Sequence, residues 1–174
     1  MKQNQILAWM MAIAITSMTM TACSQDKEVE KSHKAPLYAC GISQSDTSTN
    51  HEVLFSEADI EWFDVNTREI KFRNMAVPLY ERIQPFNEIE FYLDDSSLFV
   101  VSSFVGLWDS RIYDNLVLCY GNQEYTDIDG KYYLYDCYPL QYLDSDAVKA
   151  NQQKNASQWE LFTSYLESKG KLKK

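Results

Sequence analysis

Polar and apolar residues alternate along several short stretches in the middle of this chain, a pattern typical of half-buried β-strands. Turn-forming residues separate three pairs of such stretches: 59–65 with 68–73, 88–93 with 98–105, and 111–120 with 131–138. The alternation slips once, at Trp62 and Phe63, which predicts a β-bulge there. Short strands at this spacing predict a mostly antiparallel β-sheet, arranged as a sandwich or a barrel.

The C-terminal segment changes to the period of an α-helix. Ser157 and Glu160 have the spacing of a capping box, which predicts that a helix begins there. Gly170 predicts the end of that helix. Five side chains fall on one arc of the helical wheel: Trp159, Leu161, Phe162, Tyr165 and Leu166. Burial of these five side chains would contribute roughly 7–15 kcal/mol. The C-terminal helix should therefore pack on the sheet, and the predicted fold class is α+β.

The first residues form a separate pattern of one positive charge, an apolar run and a stretch of small residues. Lys2 precedes the uncharged run 6–15, and small and polar residues follow as far as Cys23. This pattern predicts an export signal peptide over residues 1–22. An uncleaved membrane anchor is the alternative, although the serine and threonines of the second half suit a hydrocarbon segment poorly.

The sequence Met20-Thr21-Ala22-Cys23 resembles the lipobox of bacterial lipoproteins. That resemblance implies that cleavage leaves Cys23 first in the chain, with acyl groups that hold it in a membrane. Ser24 resembles the sorting position of outer-membrane lipoproteins, and the acidic residues after it resemble the surface-export signals of Bacteroidota lipoproteins. The resemblance covers residues 1 to about 30 and implies a location facing the periplasm or the cell surface. A solvated charged tether is the alternative interpretation of the acidic residues.

The rest of the chain divides into a linker and one globular domain. Residues 23–50 are mostly polar and predict a tether, within which 37–42 are apolar enough for a short strand. Residues 51–174 predict a single domain large enough to bury its own core. The formal net charge of −9 becomes −10 once Lys2 leaves with the signal peptide. Because nucleic-acid binding needs clustered basic residues, a nucleic-acid partner is excluded.

Lipidation of Cys23 would leave three cysteines in an oxidising compartment: Cys40, Cys119 and Cys137. If the third hairpin turns over residues 127–129, Cys119 and Cys137 face each other, and a disulfide between them would add roughly 3 kcal/mol. A tighter turn at Asp129 and Gly130 would place them out of reach. The alternative is that all three thiols are small buried apolar groups.

Composition excludes several kinds of catalytic site. The only histidines are His33 in the tether and His51 at the domain edge, which removes the general base of Ser–His and Cys–His catalysis and the usual zinc sites. Five glycines form no phosphate-binding loop, and no cofactor is predicted. Asp127 and Asp129 precede Gly130 as in part of a calcium loop, but an ordinary turn uses the same residues.

Acidic and aromatic residues are the remaining candidates. A pair of carboxylates could serve a glycan hydrolase, and four lie near the densest aromatic region: Asp109, Asp114, Glu124 and Asp136. Solvated surface is the ordinary role of such acids, and no residue is assigned as catalytic. A binding face could use four tyrosines, of which the first and last share one strand face and the middle two share the other: Tyr132, Tyr133, Tyr135 and Tyr138. Packing of these tyrosines in the core is the alternative.

These features together predict a non-catalytic binding or assembly role. The expected partners are the membrane, through the lipid anchor, and a protein or a glycan. Two other functions stay open: a carboxylate-dependent glycan hydrolase, and an acidic inhibitor or immunity-type protein that blocks a basic cleft.

Overall fold

A mixed β-sheet, curved into a half-barrel, is the main element of the residues that the structure describes. The computed structural model describes residues 36–42, 52–105, 110–121 and 130–174. These residues contain nine strands, in chain order β1 Leu37–Ile42, β2 Glu52–Ser56, β3 Ile60–Asp64, β4 Glu69–Phe72, β5 Glu88–Leu93, β6 Ser96–Val105, β7 Val117–Tyr120, β8 Tyr132–Tyr135 and β9 Leu172–Lys173. They also contain two α-helices, α1 Leu79–Ile83 and α2 Asp146–Ser168.

The sheet has the strand order β2-β1-β5-β6-β7-β8-β4-β3-β9. The α+β class is confirmed, with the C-terminal helix α2 packed on a sheet whose strand pairs are mostly antiparallel. Two pairs are parallel, β6 with β7 and β3 with β9. The sequence predicted neither pair, because a parallel pair joins strands that are not linked by a tight turn and leaves no hairpin pattern.

The three predicted hairpin pairings are present, with local differences. β3 and β4 pair with a register shift between Ile60 and Trp62, which confirms the predicted bulge. β5 and β6 turn over only two residues, Asp94 and Asp95, both with positive φ. The predicted four-residue turn was therefore wrong, because the aspartates tolerate the left-handed conformation that the tightest hairpin turns require.

The apolar stretch of the predicted linker is an internal strand. β1 lies between β2 and β5 and pairs with both, so the sheet begins before residue 51. Gly41 in β1 lies under the ring of Phe86, where a Cβ atom would overlap the ring carbons. A glycine is therefore required at position 41 by close packing, because the Cβ atom of any other residue would occupy the space of the Phe86 ring.

We expect Gly41→Ala to lower the free energy of unfolding by roughly 1–3 kcal/mol, the usual cost of overpacking. Urea denaturation of the single variants and of Gly41→Ala/Phe86→Ala measures whether the cost comes from the ring contact. Without the ring, the added methyl group should cost much less than in the wild-type background. Equal costs in the two backgrounds would show that the contact with Phe86 is not the cause.

The core between the sheet and α2 is rich in phenylalanine. Phe162 of α2 is fully buried, and its ring centroid lies 5.5–5.9 Å from those of three strand residues, Phe63, Phe91 and Phe99. Edge-to-face contacts of this kind add to the free energy gained from burial alone. The docking of the helix on the sheet, which the sequence predicted, therefore depends on Phe162 together with Leu166, which is buried in the same core.

Helix α2 begins twelve residues before the predicted start, because its N-cap is Ser145 and not Ser157. Ser145 is the N-cap, and its Oγ accepts a hydrogen bond from the Val148 amide at 3.3 Å. The predicted capping box at Ser157 was wrong, since Ser157 lies inside the helix and its hydroxyl donates to the side chain of Gln158. The first half of α2 buries only Val148, so the sequence shows no apolar stripe to mark it. Leu161, which the sequence placed on the buried arc, is 54% exposed.

The C-terminal end of α2 follows the prediction. Gly170 has a φ of +67°, and its amide donates to the carbonyl of Glu167 at 2.9 Å. The Lys171 amide donates to the carbonyl of Leu166 at 2.8 Å, which completes a Schellman motif. Glycine is favoured at this position because a Cβ atom is disfavoured at positive φ.

The three cysteines outside the predicted lipobox are buried, and no disulfide joins them within the part of the chain that the structure describes. The register of β7 and β8 places Cys119 opposite Tyr133, rather than opposite Cys137 as the predicted bridge requires. The Sγ atom of Cys137 instead lies 3.6 Å from the carbonyl of Pro139, and burial raises the pKa of its thiol. The three thiols are therefore small buried groups, which was the alternative to the predicted bridge.

Several predicted features lie outside the described residues. They are residues 1–35, which include the signal peptide, Cys23 and His33, and in addition His51, the calcium candidates Asp127 and Asp129, and the carboxylates Asp109 and Glu124. Among the residues that are described, no helix combines the length and the apolar character needed to cross a bilayer.

Candidate functional site

A groove opens where the start of β4 and the end of β8 meet the first half of α2. It consists of two adjoining cavities of about 210 and 710 Å³ that share Arg68, Asp136 and Gln152. We call it the Arg68 groove. The smaller cavity is also lined by Leu116, Asn151, Asn155, Ala156 and Trp159. The larger one is also lined by Asn66, Thr67, Glu69, Lys131, Tyr133, Tyr135, Leu140 and Leu143.

The β3–β4 turn fixes the backbone of Arg68. The carboxylate of Asp64 accepts hydrogen bonds from the amides of Thr67, at 3.0 Å, and Asn66, at 2.8 Å, and these bonds lower the pKa of Asp64. Arg68 then adopts a φ of +63°, and its carbonyl accepts the amide of Leu134 at 2.9 Å. A left-handed conformation costs a non-glycine residue roughly 1–2 kcal/mol, and such residues cluster at functional sites.

The guanidinium of Arg68 is held from two sides. Its Nη2 donates to Oδ2 of Asp136 at 2.6 Å, and its Cζ lies 4.4 Å from the centroid of the Trp159 ring. The Nη1 atom is buried and has no hydrogen-bond partner among the described residues. A buried donor without a partner costs roughly 1–3 kcal/mol, and because this atom is closed to solvent, an acceptor could reach it only if neighbouring side chains moved.

Helix α2 supplies a wall of side-chain amides. Asn151, Gln152 and Asn155 line the smaller cavity, with Asn151 and Asn155 one helical turn apart on the same face. The Nδ2 atom of Asn151 donates to the carbonyl of Asp114 at 2.8 Å, which fixes the orientation of that amide. Each amide offers both donors and an acceptor, so this wall can bind neutral polar groups of either kind.

Two tyrosines form the floor of the larger cavity. The rings of Tyr133 and Tyr135 are nearly parallel, with centroids 5.3 Å apart, and both residues are buried. Leu140 and Leu143 stand beside them, and Leu143 is 42% exposed. The structure therefore brings two of the four predicted binding tyrosines into the groove, largely as buried floor rather than as an exposed face.

The other two predicted binding tyrosines lie elsewhere. Tyr132 packs on Phe72 on the opposite side of the sheet, where its hydroxyl oxygen accepts the Tyr80 amide at 2.8 Å and burial raises its pKa to about 12. Tyr138 belongs to the cluster around Tyr133, so its predicted placement on the face of Tyr132 was wrong. The alternation ends with β8 at Tyr135, and the bridge between Tyr138 and Tyr113 lies beyond it.

Of the four candidate carboxylates, the structure places Asp136 in the groove. Asp114 is exposed and contributes its carbonyl to Asn151, while the other two lie outside the described residues. Glu69 also lines the larger cavity, 3.6 Å from Nζ of Lys131. Two acidic and two basic side chains therefore line the groove, in a chain with a net charge of −9. Among the described residues, no group of three His, Cys, Asp or Glu side chains could hold a metal ion.

Arg68, Trp159 and the amides of α2 were not predicted as site residues. They come from a hairpin turn and a helix that are far apart in the sequence, so no local motif joins them. No known protein family, curated protein or solved structure matches this chain.

Proposed function

We propose that this protein is a lipid-anchored binding protein of a bacterial outer membrane, and that its ligand binds in the Arg68 groove without being chemically changed. The lipobox-like sequence ending in Cys23 supports the anchor. The polar residues between Cys23 and β1 would serve as a tether that separates the domain from the lipid.

The observation that carries the binding role is the Arg68 guanidinium. Its position is fixed by the ion pair with Asp136 and by the Trp159 ring, yet Nη1 has no acceptor among the described residues. A site that is held in place before binding loses little conformational entropy when the ligand arrives.

The same geometry argues against the glycan hydrolase. A glycosidase needs one protonated carboxyl group to act as the general acid. Asp136 is only 13% exposed and ion-paired with Arg68, and Glu69 faces Lys131. Each of these two carboxylates therefore lies beside a cation, and the candidates Asp109 and Glu124 lie outside the described residues. The third function, an acidic inhibitor, stays a prediction from composition.

The membrane anchor is tested by metabolic labelling with radioactive palmitate in a bacterial host that processes lipoproteins. We expect label on the wild-type protein and none on Cys23→Ser, which should appear in the soluble fraction or as unprocessed precursor. Equal labelling of the two proteins, or a water-soluble wild-type product without fatty acid, would contradict the anchor.

The groove is tested with two matched substitutions on α2. Gln152 is exposed at the surface of the helix and lines both cavities, while its neighbour Gln153 is exposed and lines neither. Gln152→Trp should fill the groove, and Gln153→Trp adds the same ring elsewhere. Full-length proteins in detergent micelles are compared for binding to immobilised protein and polysaccharide fractions of the native envelope.

We expect at least one envelope fraction to bind the wild-type protein and Gln153→Trp equally, and Gln152→Trp roughly tenfold more weakly or worse. Equal binding by all three proteins would show that the groove is not the ligand site. Recovery of a bound polysaccharide as shorter fragments would instead show that the protein is an enzyme.

A further inference from the structure

The composition of the groove indicates the chemical class of its ligand. If the groove is the binding site as proposed above, then we propose that its ligand is an uncharged oligosaccharide. Three properties of the described residues carry this inference: the balance of charge in the groove, the planar polar side chains on its walls, and the absence of a free strand edge beside it.

The charge balance disfavours a charged ligand. Arg68 is paired with Asp136 at 2.6 Å, and Lys131 with Glu69 at 3.6 Å. An anionic ligand would lie against two carboxylates, and a cationic one against a guanidinium and an ammonium group. Since every cation of the groove already has an anion beside it, a charged ligand gains little net attraction and loses its hydration.

The polar side chains of the groove suit hydroxyl groups. A sugar hydroxyl donates one hydrogen bond and accepts others, so adjacent hydroxyls need donors and acceptors at close spacing. The groove offers such groups within one patch: the Asp136 carboxylate as an acceptor, and the amides of Gln152 and Asn155, which both donate and accept. The apolar faces of sugar rings could pack on Leu140 and Leu143 in the larger cavity.

An extended peptide fits this site less well. Peptides commonly bind by adding a strand to a free sheet edge, where main-chain groups form the hydrogen bonds. The two strands beside the groove have no free edge, because β4 pairs with β3 and β8, and β8 pairs with β4 and β7. The described edges of the sheet are β2 and β9, which do not line the groove. Recognition in the groove therefore depends on side chains, as an oligosaccharide requires.

The test is isothermal titration of the full-length lipoprotein in detergent micelles with three kinds of defined probe. They are neutral hexasaccharides of glucose, mannose, xylose and N-acetylglucosamine, an oligogalacturonate of the same length, and an uncharged peptide of glycine and serine. Each titration is repeated with Gln152→Trp and Gln153→Trp, and at low and high salt.

We expect saturable binding of at least one neutral hexasaccharide, weakened roughly tenfold or more by Gln152→Trp and unchanged by Gln153→Trp. Its affinity should be nearly independent of salt, because no net charge is neutralised. Tighter binding of oligogalacturonate or of the peptide at the groove would overturn this inference and leave the binding role intact. If envelope material binds the groove but no neutral hexasaccharide does, the inference is equally overturned. If neither binds, both proposals fail.

Discussion

Replacing Phe162 with alanine should lower the free energy of unfolding by roughly 3–5 kcal/mol, the range for removing a large aromatic ring from a core. Phe162 is fully buried, and its ring contacts the rings of Phe63, Phe99 and Trp159. Removal of the Phe162 ring leaves a cavity, and the cavity can close only if strands of the sheet move toward the helix. Equilibrium denaturation by urea, followed by far-ultraviolet circular dichroism, measures the loss.

The neighbouring residue is the control for this substitution. Leu161 lies on the same turn of α2 but is 54% exposed, so Leu161→Ala should change the free energy of unfolding by no more than about 0.5 kcal/mol. Similar losses for the two variants would show that α2 does not dock through Phe162. If Phe162→Ala does not fold at all, Phe162→Leu should give a smaller loss of the same sign.

Replacing Lys171 with methionine should lower the free energy of unfolding by about 2–4 kcal/mol, because several acceptors lose one charged donor. The Nζ atom of Lys171, only 13% exposed, lies 2.9 Å from the Glu57 carboxylate and also donates to the carbonyls of Glu57 and Ile60. Glu57 also accepts a hydrogen bond from the Tyr165 hydroxyl at 3.1 Å. Lys171 thus ties the segment before β9 to the start of β3, and Glu57 in turn binds Tyr165 of α2.

The effect of Lys171→Met should depend on pH. The hydrogen bond from Lys171 lowers the pKa of Glu57 below its value of 4.5 in an unfolded chain, with further contributions from the charge of Lys171 and from Tyr165. A lowered folded-state pKa gives stability that is complete above the unfolded value and is lost as the pH falls through the folded value. The difference between wild type and Lys171→Met should therefore shrink below about pH 4. The bonds to the two carbonyls remain in acid, so the difference should not vanish.

Lys154→Met is the matched control, because it removes the same charge from an exposed position of α2. It should leave the free energy of unfolding nearly unchanged at neutral pH and add no change in acid. A loss that is the same for both variants, or one for Lys171→Met that stays constant from pH 7 to pH 3, would contradict the role given to the Glu57 pair.

Local patterns predicted those elements whose signal lies within a few residues. The bulge near Trp62 and the helix end at Gly170 were both predicted and are both present. The start of α2 was not, because its first half is mostly polar and carries one buried residue, Val148. Its cap at Ser145 has no apolar stripe after it, so hydrophobic periodicity could not find it.

The sequence predicted only some of the residues that form the Arg68 groove. Asp136, Tyr133 and Tyr135 were candidates because acids and tyrosines are crowded in that segment. Arg68 was not, because its partner Asp136 is 68 residues away and the pairing depends on β4 lying beside β8. The prediction of a disulfide between Cys119 and Cys137 was wrong for a related reason. A turn over residues 127–129 would place the two cysteines opposite each other, but the register of β7 and β8 places Cys119 opposite Tyr133.

By itself, the sequence determined the α+β class, the three hairpin pairings and the rarity of histidine that restricts the available chemistry. It could do so because hydrophobic periodicity and composition are properties of neighbouring residues or of the whole chain. Only the tertiary structure decided the parallel strand pairs, the inclusion of β1 in the sheet and the meeting of Arg68, Asp136 and Trp159. Those contacts depend on strand order and register, which are set by packing between segments distant in the chain.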